Sequence, residues 1–115
     1  MFDQFDPADD RMLQVIDNNG KVISKELMPQ LSDDEMLKLY KDMLFVRTLD
    51  HMIVSYQRQG RVYTYPPNYG QEAIGVAAGA VLRYDDWLVP AFRELGAWLA
   101  KGATIKDVFM FNMGF

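Results

Sequence analysis

The chain of 115 residues contains no cysteine. This absence excludes a disulfide framework and any metal site built from thiolates, and it fits a reducing compartment, so we expect a cytoplasmic protein. No uninterrupted apolar stretch approaches the roughly 20 residues that cross a bilayer. The first ten residues are acidic where a secretory signal is basic. We therefore expect no membrane partner.

Clustered basic residues are also missing, which argues against nucleic acid as a partner because such binding depends on grouped Lys and Arg. The net charge is −4, and it is uneven: residues 1–35 carry nine Asp/Glu against three Lys/Arg, and residues 36–115 carry seven against nine. Histidine occurs once, at His51. A lone histidine lacks partners for metal binding or nucleophilic catalysis, so we predict a packing or surface role for it.

What the chain does contain is enough apolar material for one domain, since half of its residues are hydrophobic. We divide it into an acidic N-terminal arm over residues 1–31 and a body over residues 32–115. Within the arm, Asp17–Gly20 is typical of a hairpin turn because Asn and Gly accept positive φ. An extended segment that lies over the body or over a partner explains the same residues equally well.

The body begins with a helix signal at Ser32–Glu35, a capping box in which Ser and Glu satisfy backbone N–H groups at a helix start. Apolar residues then recur every three or four positions, and Gly60 is suited to end a helix. The pattern predicts one long amphipathic helix over residues 33–59.

A second helix is predicted over residues 71–82, and its residues are unusually small. Glycine costs about 1 kcal/mol against alanine inside a helix, so Gly75 and Gly79, four residues apart on one face, need a reason to be there. We interpret them as the point where the backbone of another element comes close.

The remaining pattern predicts a short buried strand at Trp87–Val89, a helix that ends near Ala100, and a last helix that begins at a second capping signal, Thr104–Asp107. The segment Val62–Tyr65 also favours extended structure, and prolines end it. The predicted fold class is therefore predominantly α with one or two short strands, the N-terminal part of an α/β fold.

Arg93 is the sharpest local candidate for binding chemistry. Ligands of α/β folds collect where a strand ends and the chain turns toward a helix, and a guanidinium there can bind phosphate oxygens. The plainer interpretation of Arg93 is a salt bridge with Glu94 or Asp86.

Three motifs occur in a fixed order: RQGR at residues 58–61, GQEA at residues 70–73 and WLVPAFREL at residues 87–95. Together they resemble the alpha subunits of the thiamin-diphosphate-dependent 2-oxoacid dehydrogenases, most closely bacterial pyruvate dehydrogenase. The likeness covers nearly all of this chain but only about the first third of a complete alpha subunit.

The resemblance implies a part in oxidative decarboxylation of a 2-oxoacid and reductive acylation of a lipoyl group. The implied partners are a dehydrogenase beta subunit, in an α2β2 heterotetramer with the cofactor between alpha and beta, and the dihydrolipoyl acyltransferase component. Arg93 matches the arginine that contacts the cofactor diphosphate. Phe92 stands where the family usually has Tyr, so the ring is kept and the hydroxyl is lost.

The segment between RQGR and GQEA lines the substrate side of the site in this family. Tyr65 fits as a wall of that pocket. Thr64 replaces the aromatic residue that is common there, which leaves the preferred acyl group open among pyruvate, branched-chain 2-oxoacids and acetoin.

Parts of the family's site are missing from the sequence. Thiamin diphosphate is held through Mg²⁺, which needs oxygen ligands, and the family supplies these from a GDG motif and a later Asn segment that do not occur here. The family's glutamate that activates the cofactor belongs to the beta subunit. We therefore expect no metal site in this chain and no activity from it alone.

Two other interpretations stay open. The chain could be a truncated, non-catalytic helical module that binds a beta subunit or itself. An unrelated helical adaptor that matches by chance is the third.

Overall fold

The computed structural model describes residues 13–115. They fall into two units that divide after Ser32, and each is described by itself. In the first unit, the Asp17 carboxylate accepts the N–H groups of Asn19 and Lys21, both at 2.8 Å, and Ile16 pairs with Val22 in a single antiparallel bridge. The hairpin interpretation of Asp17–Gly20 therefore holds, whereas residues 1–12 of the predicted arm lie outside the described residues.

The second unit begins with α1, a helix of 26 residues over Asp33–Arg58. Three acidic residues occupy its first turn, where they complement the positive end of the helix dipole. Gly60 follows with a φ of 72°, a left-handed conformation that glycine adopts without strain. The predicted long helix is confirmed to within one residue at its end.

Helix α2 spans Glu72–Val81 and α3 spans Leu95–Ala100, and the two pack with their backbones in close approach. A Cβ added to Gly75 would lie 3.3 Å from the backbone N of Gly96, and one added to Gly96 would lie 2.7 Å from the backbone N of Val76. The small residues of α2 therefore do face another element, as predicted.

Helix α4 spans Ile105–Asn112 and begins with the predicted capping box. The Thr104 hydroxyl accepts the Asp107 N–H at 3.2 Å, and the Asp107 carboxylate accepts the Thr104 N–H at 2.8 Å. Two N–H groups at the helix start are satisfied in this way. Val108, on the inner face of α4, is buried in the core.

The core joins the four helices of the described residues through the segment that precedes α2. Its buried members are Val46, Leu49, Ile53, Val62, Tyr65, Val76, Leu95 and Val108. The predominantly helical class is confirmed. Among residues 13–115, no helix combines the length and apolarity needed to cross a membrane.

The predicted buried strand at Trp87–Val89 is wrong. These residues form no strand, and Trp87 and Val89 are 91% and 88% exposed. A strand needs a neighbour for its backbone N–H and C=O groups, and the described part of the chain contains no second strand to pair with it. The apolar pattern that favoured a buried strand is present, but nothing in this unit covers it.

Candidate functional site

A cavity of about 400 Å³ opens between the segment that precedes α2 and the helices α3 and α4. Its wall is mainly apolar and is formed by Thr64, Tyr65, Pro66, Asn68, Ala91, Phe92, Glu94, Leu95, Trp98, Val108, Phe111 and Asn112. Three of the four predicted site residues, Thr64, Tyr65 and Phe92, are therefore brought together in one wall, although 27 positions separate Tyr65 from Phe92.

The fourth predicted residue, Arg93, stands beside the cavity rather than in its lining. Its Nη1 donates to the Pro67 carbonyl at 3.0 Å, and its guanidinium carbon lies 5.5 Å from the centre of the Phe92 ring. This single backbone contact leaves further guanidinium N–H groups for an anion, since arginine carries five N–H donors.

The plainer interpretation of Arg93 as a salt-bridge partner is wrong for both acids within the described residues. The Glu94 carboxylate accepts the backbone N–H of Arg93 at 3.0 Å and forms no ion pair with its side chain. Asp86 pairs with Arg83 instead, at 3.0 Å. Neither Glu94 nor Asp86 therefore neutralises the positive charge of Arg93.

Tyr65 is 5% exposed, and its hydroxyl group belongs to a buried network. The hydroxyl donates to Asp50 Oδ1 at 2.7 Å and accepts from Asn68 Nδ2 at 3.1 Å. Burial and the neighbouring Asp50 carboxylate raise the pKa of the Tyr65 phenol, because both disfavour a phenolate there. Tyr65 therefore serves as a neutral, fixed part of the wall.

Asp50 and Asn68 were missed by the sequence-based prediction, and both are only 2% exposed. One signal for Asp50 was present: it lies four residues after Val46 and three before Ile53, on the apolar side of the predicted helix. A charged residue at an apolar position of a helix indicates a buried partner. No comparable local signal marked Asn68.

The GQEA motif is held to α1 by an ion pair. The Arg47 guanidinium contacts the Glu72 carboxylate, which also accepts the backbone N–H of Gly70 at 3.1 Å. The hydrogen bond from Arg47 lowers the pKa of Glu72 to about 2. Arg47 also lies over the Tyr69 ring, 4.1 Å from its centre. Glu72 thus fixes the start of α2 and is not poised for proton transfer near neutral pH.

His51, the only histidine, is exposed and makes an edge contact with the Tyr69 ring at 5.7 Å between ring centres. The position agrees with the predicted surface or packing role.

The described residues offer groups that suit part of thiamin diphosphate, and they offer no cluster of metal ligands. Arg93 offers one cation for a phosphate group, and the cavity wall beside it is apolar. The Trp98 indole N–H, in the same wall, is the one buried side-chain polar atom of residues 13–115 without a hydrogen-bond partner. The described residues contain no group of three His, Asp or Glu side chains placed to hold a metal ion.

Comparison with known proteins agrees with these motifs. Residues 40–115 match the profile of the family described as "Dehydrogenase E1 component". The chain is 40% identical over 98 residues to the pyruvate dehydrogenase E1 component subunit alpha of Acholeplasma laidlawii, an alignment that covers 85% of this chain and 28% of the relative. It is 34% identical over 103 residues to the subunits of the same name from Staphylococcus aureus and Staphylococcus epidermidis, with 90% of this chain and 28% of each relative covered. The chain thus spans under a third of the length of these relatives.

Proposed function

Because this chain belongs to the dehydrogenase E1 component family, we propose that it forms the N-terminal part of an alpha subunit in a thiamin-diphosphate-dependent 2-oxoacid dehydrogenase. The complete enzyme decarboxylates a 2-oxoacid and transfers the acyl group to a lipoyl group. Pyruvate is the proposed substrate, since the relatives compared above are named as pyruvate dehydrogenase subunits. The proposed partners are a beta subunit, in an α2β2 heterotetramer, and a dihydrolipoyl acyltransferase component.

The position of Arg93 carries this proposal. Among residues 13–115 no acidic side chain pairs with its guanidinium, which lies at the edge of an apolar cavity and donates to the Pro67 carbonyl. A phosphate group accepts hydrogen bonds from such a guanidinium. We assign Arg93 to the cofactor diphosphate and the Phe92 ring beside it to the apolar border of the same site.

Thr64 and Tyr65 form the proposed substrate side of the cavity. The Tyr65 ring supplies an apolar surface, while its hydroxyl is occupied by Asp50 and Asn68. Thr64 is smaller than an aromatic residue and leaves more room in the wall for the acyl group. The bound cofactor would supply the carbanion chemistry that decarboxylation requires, and the residues of this chain would bind and orient.

The metal ion that accompanies the diphosphate would have ligands elsewhere, because the described residues offer no cluster for it. We therefore propose that the 115-residue chain is inactive by itself. Isothermal titration with thiamin diphosphate and Mg²⁺ tests this directly. The titration is done with and without a beta subunit, and tight binding of the cofactor by the isolated chain would contradict the proposal.

The role of Arg93 is tested in the complete alpha subunit that carries this sequence, assembled with its beta subunit. Arg93→Ala should raise the dissociation constant for thiamin diphosphate by about tenfold or more, in line with the loss of one charge-assisted contact. Arg83→Ala is the matched control because Arg83 is an exposed arginine that pairs with surface acids. Equal affinities for the Arg93 variant and the unmodified enzyme would refute the assignment.

A second function is favoured by one observation. Trp87 and Val89 are almost fully exposed, as they would be in a non-catalytic helical module that binds a beta subunit or itself. A stable complex between the 115-residue chain and a beta subunit, without cofactor binding, would support this alternative.

A further inference from the structure

Asn68 connects three parts of the fold through its side-chain amide. Its Oδ1 accepts the backbone N–H of Leu95, the first residue of α3, at 3.2 Å. Its Nδ2 donates to the Tyr65 hydroxyl at 3.1 Å and to the Pro66 carbonyl at 3.4 Å. The residue is 2% exposed, so these contacts replace the water that its polar atoms would otherwise bind.

Asp50 anchors this group of contacts to α1. Its Oδ1 accepts from the Tyr65 hydroxyl at 2.7 Å and from the backbone N–H of Asn68 at 2.6 Å. A buried carboxylate is costly unless hydrogen bonds compensate its lost hydration. A hydrogen-bonded network of this kind specifies one arrangement of the elements that it joins.

Arg93 is tied to the same segment at two points. It precedes Leu95 by two residues, so the contact between Leu95 and Asn68 limits where its backbone lies. Its guanidinium donates to the carbonyl of Pro67, the residue before Asn68. The location of the Arg93 cation relative to the Tyr65 ring therefore depends on Asn68.

We propose that Asn68 is a positioning residue for the cofactor site, with Asp50 as its anchor, and that its contact with Leu95 sets the place of Arg93 beside the aromatic wall. The inference rests on the proposed function, because it takes Arg93 as a diphosphate contact. Such precision matters, since binding groups must be held to within about 0.5 Å of the productive geometry.

The experiment is a double-mutant cycle in the complete alpha subunit assembled with its beta subunit, with the dissociation constant of thiamin diphosphate measured at saturating Mg²⁺. Asn68→Ala should weaken binding by about three- to tenfold, and Arg93→Ala by about tenfold or more. The double variant should bind no more weakly than Arg93→Ala alone, because a positioning residue has nothing left to position once the cation is gone. Purely structural damage would instead add to the loss from Arg93→Ala.

A further variant separates positioning from general destabilisation. Val46→Ala creates a cavity in the core at a residue that neither hydrogen-bonds within the network nor lines the site cavity, and it should lower thermal stability without changing cofactor affinity. Should Asn68→Ala not assemble, Asn68→Ser takes its place, since it retains a hydroxyl but is one atom too short to span from Leu95 to Tyr65.

The outcomes distinguish the two proposals. If Arg93→Ala leaves affinity unchanged, the diphosphate role and the positioning role are both overturned. If Arg93→Ala weakens binding but Asn68→Ala does not, or if their effects add, only the positioning role is overturned. An equal loss of affinity in Val46→Ala would also overturn it, because the effect would then follow stability.

Discussion

Individual side chains in this chain carry roles that depend on a buried partner. Tyr65 lines a cavity with its ring and holds Asp50 and Asn68 with its hydroxyl. Glu72 begins α2, and its carboxylate binds Arg47 of α1. The family resemblance suggested Tyr65 as a site wall, and in both cases the buried partner explains why the residue is fixed.

Tyr65→Phe should destabilise the fold by about 1–2 kcal/mol, because the buried Asp50 carboxylate and the Asn68 amide each lose one hydrogen-bond partner. Urea unfolding of the two chains measures the difference. Tyr63→Phe is the matched control, since Tyr63 is 74% exposed, and its effect should stay within about 0.5 kcal/mol. Equal effects of the two substitutions would contradict the buried network.

Glu72→Gln should remove part of the acid sensitivity of the fold. The pKa of Glu72 falls from 4.5 to about 2 through the hydrogen bond from Arg47. A lowered pKa in the folded state gives stability that is present above pH 4.5 and is lost as the pH falls toward 2. We expect this contribution to be about 1–2 kcal/mol, below the full value of the shift because Arg47 is partly exposed to solvent.

The measurement is urea unfolding of both chains at several pH values between 2 and 6. The free energy of unfolding of the unmodified chain should fall more steeply over this window than that of Glu72→Gln. Parallel pH profiles would show that the ion pair makes no net contribution.

At the scale of elements, the contact between α2 and α3 organises the second unit. Glycines occupy both sides of it, so the two helix backbones approach closely at Gly75 and Gly96. Small residues permit this approach at the cost of helix propensity, which the close packing offsets. The start of α3 in turn carries the Leu95 N–H that Asn68 accepts.

Gly96→Ala should lower the free energy of unfolding by about 1–3 kcal/mol. The new Cβ would lie 2.7 Å from the backbone N of Val76 and 2.9 Å from the backbone carbon of Gly75, and neither backbone atom can rotate away. The gain in helix propensity of about 1 kcal/mol is too small to compensate. Thermal or urea unfolding measures the change.

Ala73→Gly is the control, because Ala73 lies on the exposed side of α2 and the change there measures helix propensity without packing. Its loss should be no more than about 1 kcal/mol, from helix propensity alone. A stabilising effect of Gly96→Ala would show that the two helices are not held in this close approach.

At the scale of the whole molecule, large apolar side chains remain uncovered on the second unit. Trp87 and Val89 are among the most exposed, in a segment without strand pairing in the described part of the chain. Exposed apolar groups of this kind favour association. The incomplete coverage agrees with a chain that spans 28% of the length of its relatives.

Replacing Trp87 and Val89 together by Thr should reduce self-association of the 115-residue chain. Light scattering coupled to size exclusion measures the apparent mass between about 5 and 200 μM, a range in which exposed apolar surface promotes association. We expect the unmodified chain to gain mass with concentration and the double variant to stay closer to a monomer. Tyr84→Thr tests whether any exposed aromatic side chain has the same effect.

The sequence by itself determined the helices, because caps, periodicity and glycine positions are local properties that act within a few residues. It also determined the family, since three motifs in fixed order carry that information without a structure. The predicted strand at Trp87–Val89 was wrong because strand formation is not a local property. A strand requires a neighbouring strand, and the described residues provide none.

Tertiary structure alone decided the relations across long separations. It places Thr64, Tyr65 and Phe92 in one cavity wall. It leaves the Arg93 side chain without an ion pair to Glu94 or Asp86. It also shows that Asp50 and Asn68 connect α1 to the start of α3 through buried hydrogen bonds. Hydrogen bonds act over about 3 Å, so a contact between residues 27 positions apart exists only once the chain has folded. The sequence therefore predicted four candidate residues, whereas their arrangement and their buried neighbours Asp50 and Asn68 depend on the packing of the helices.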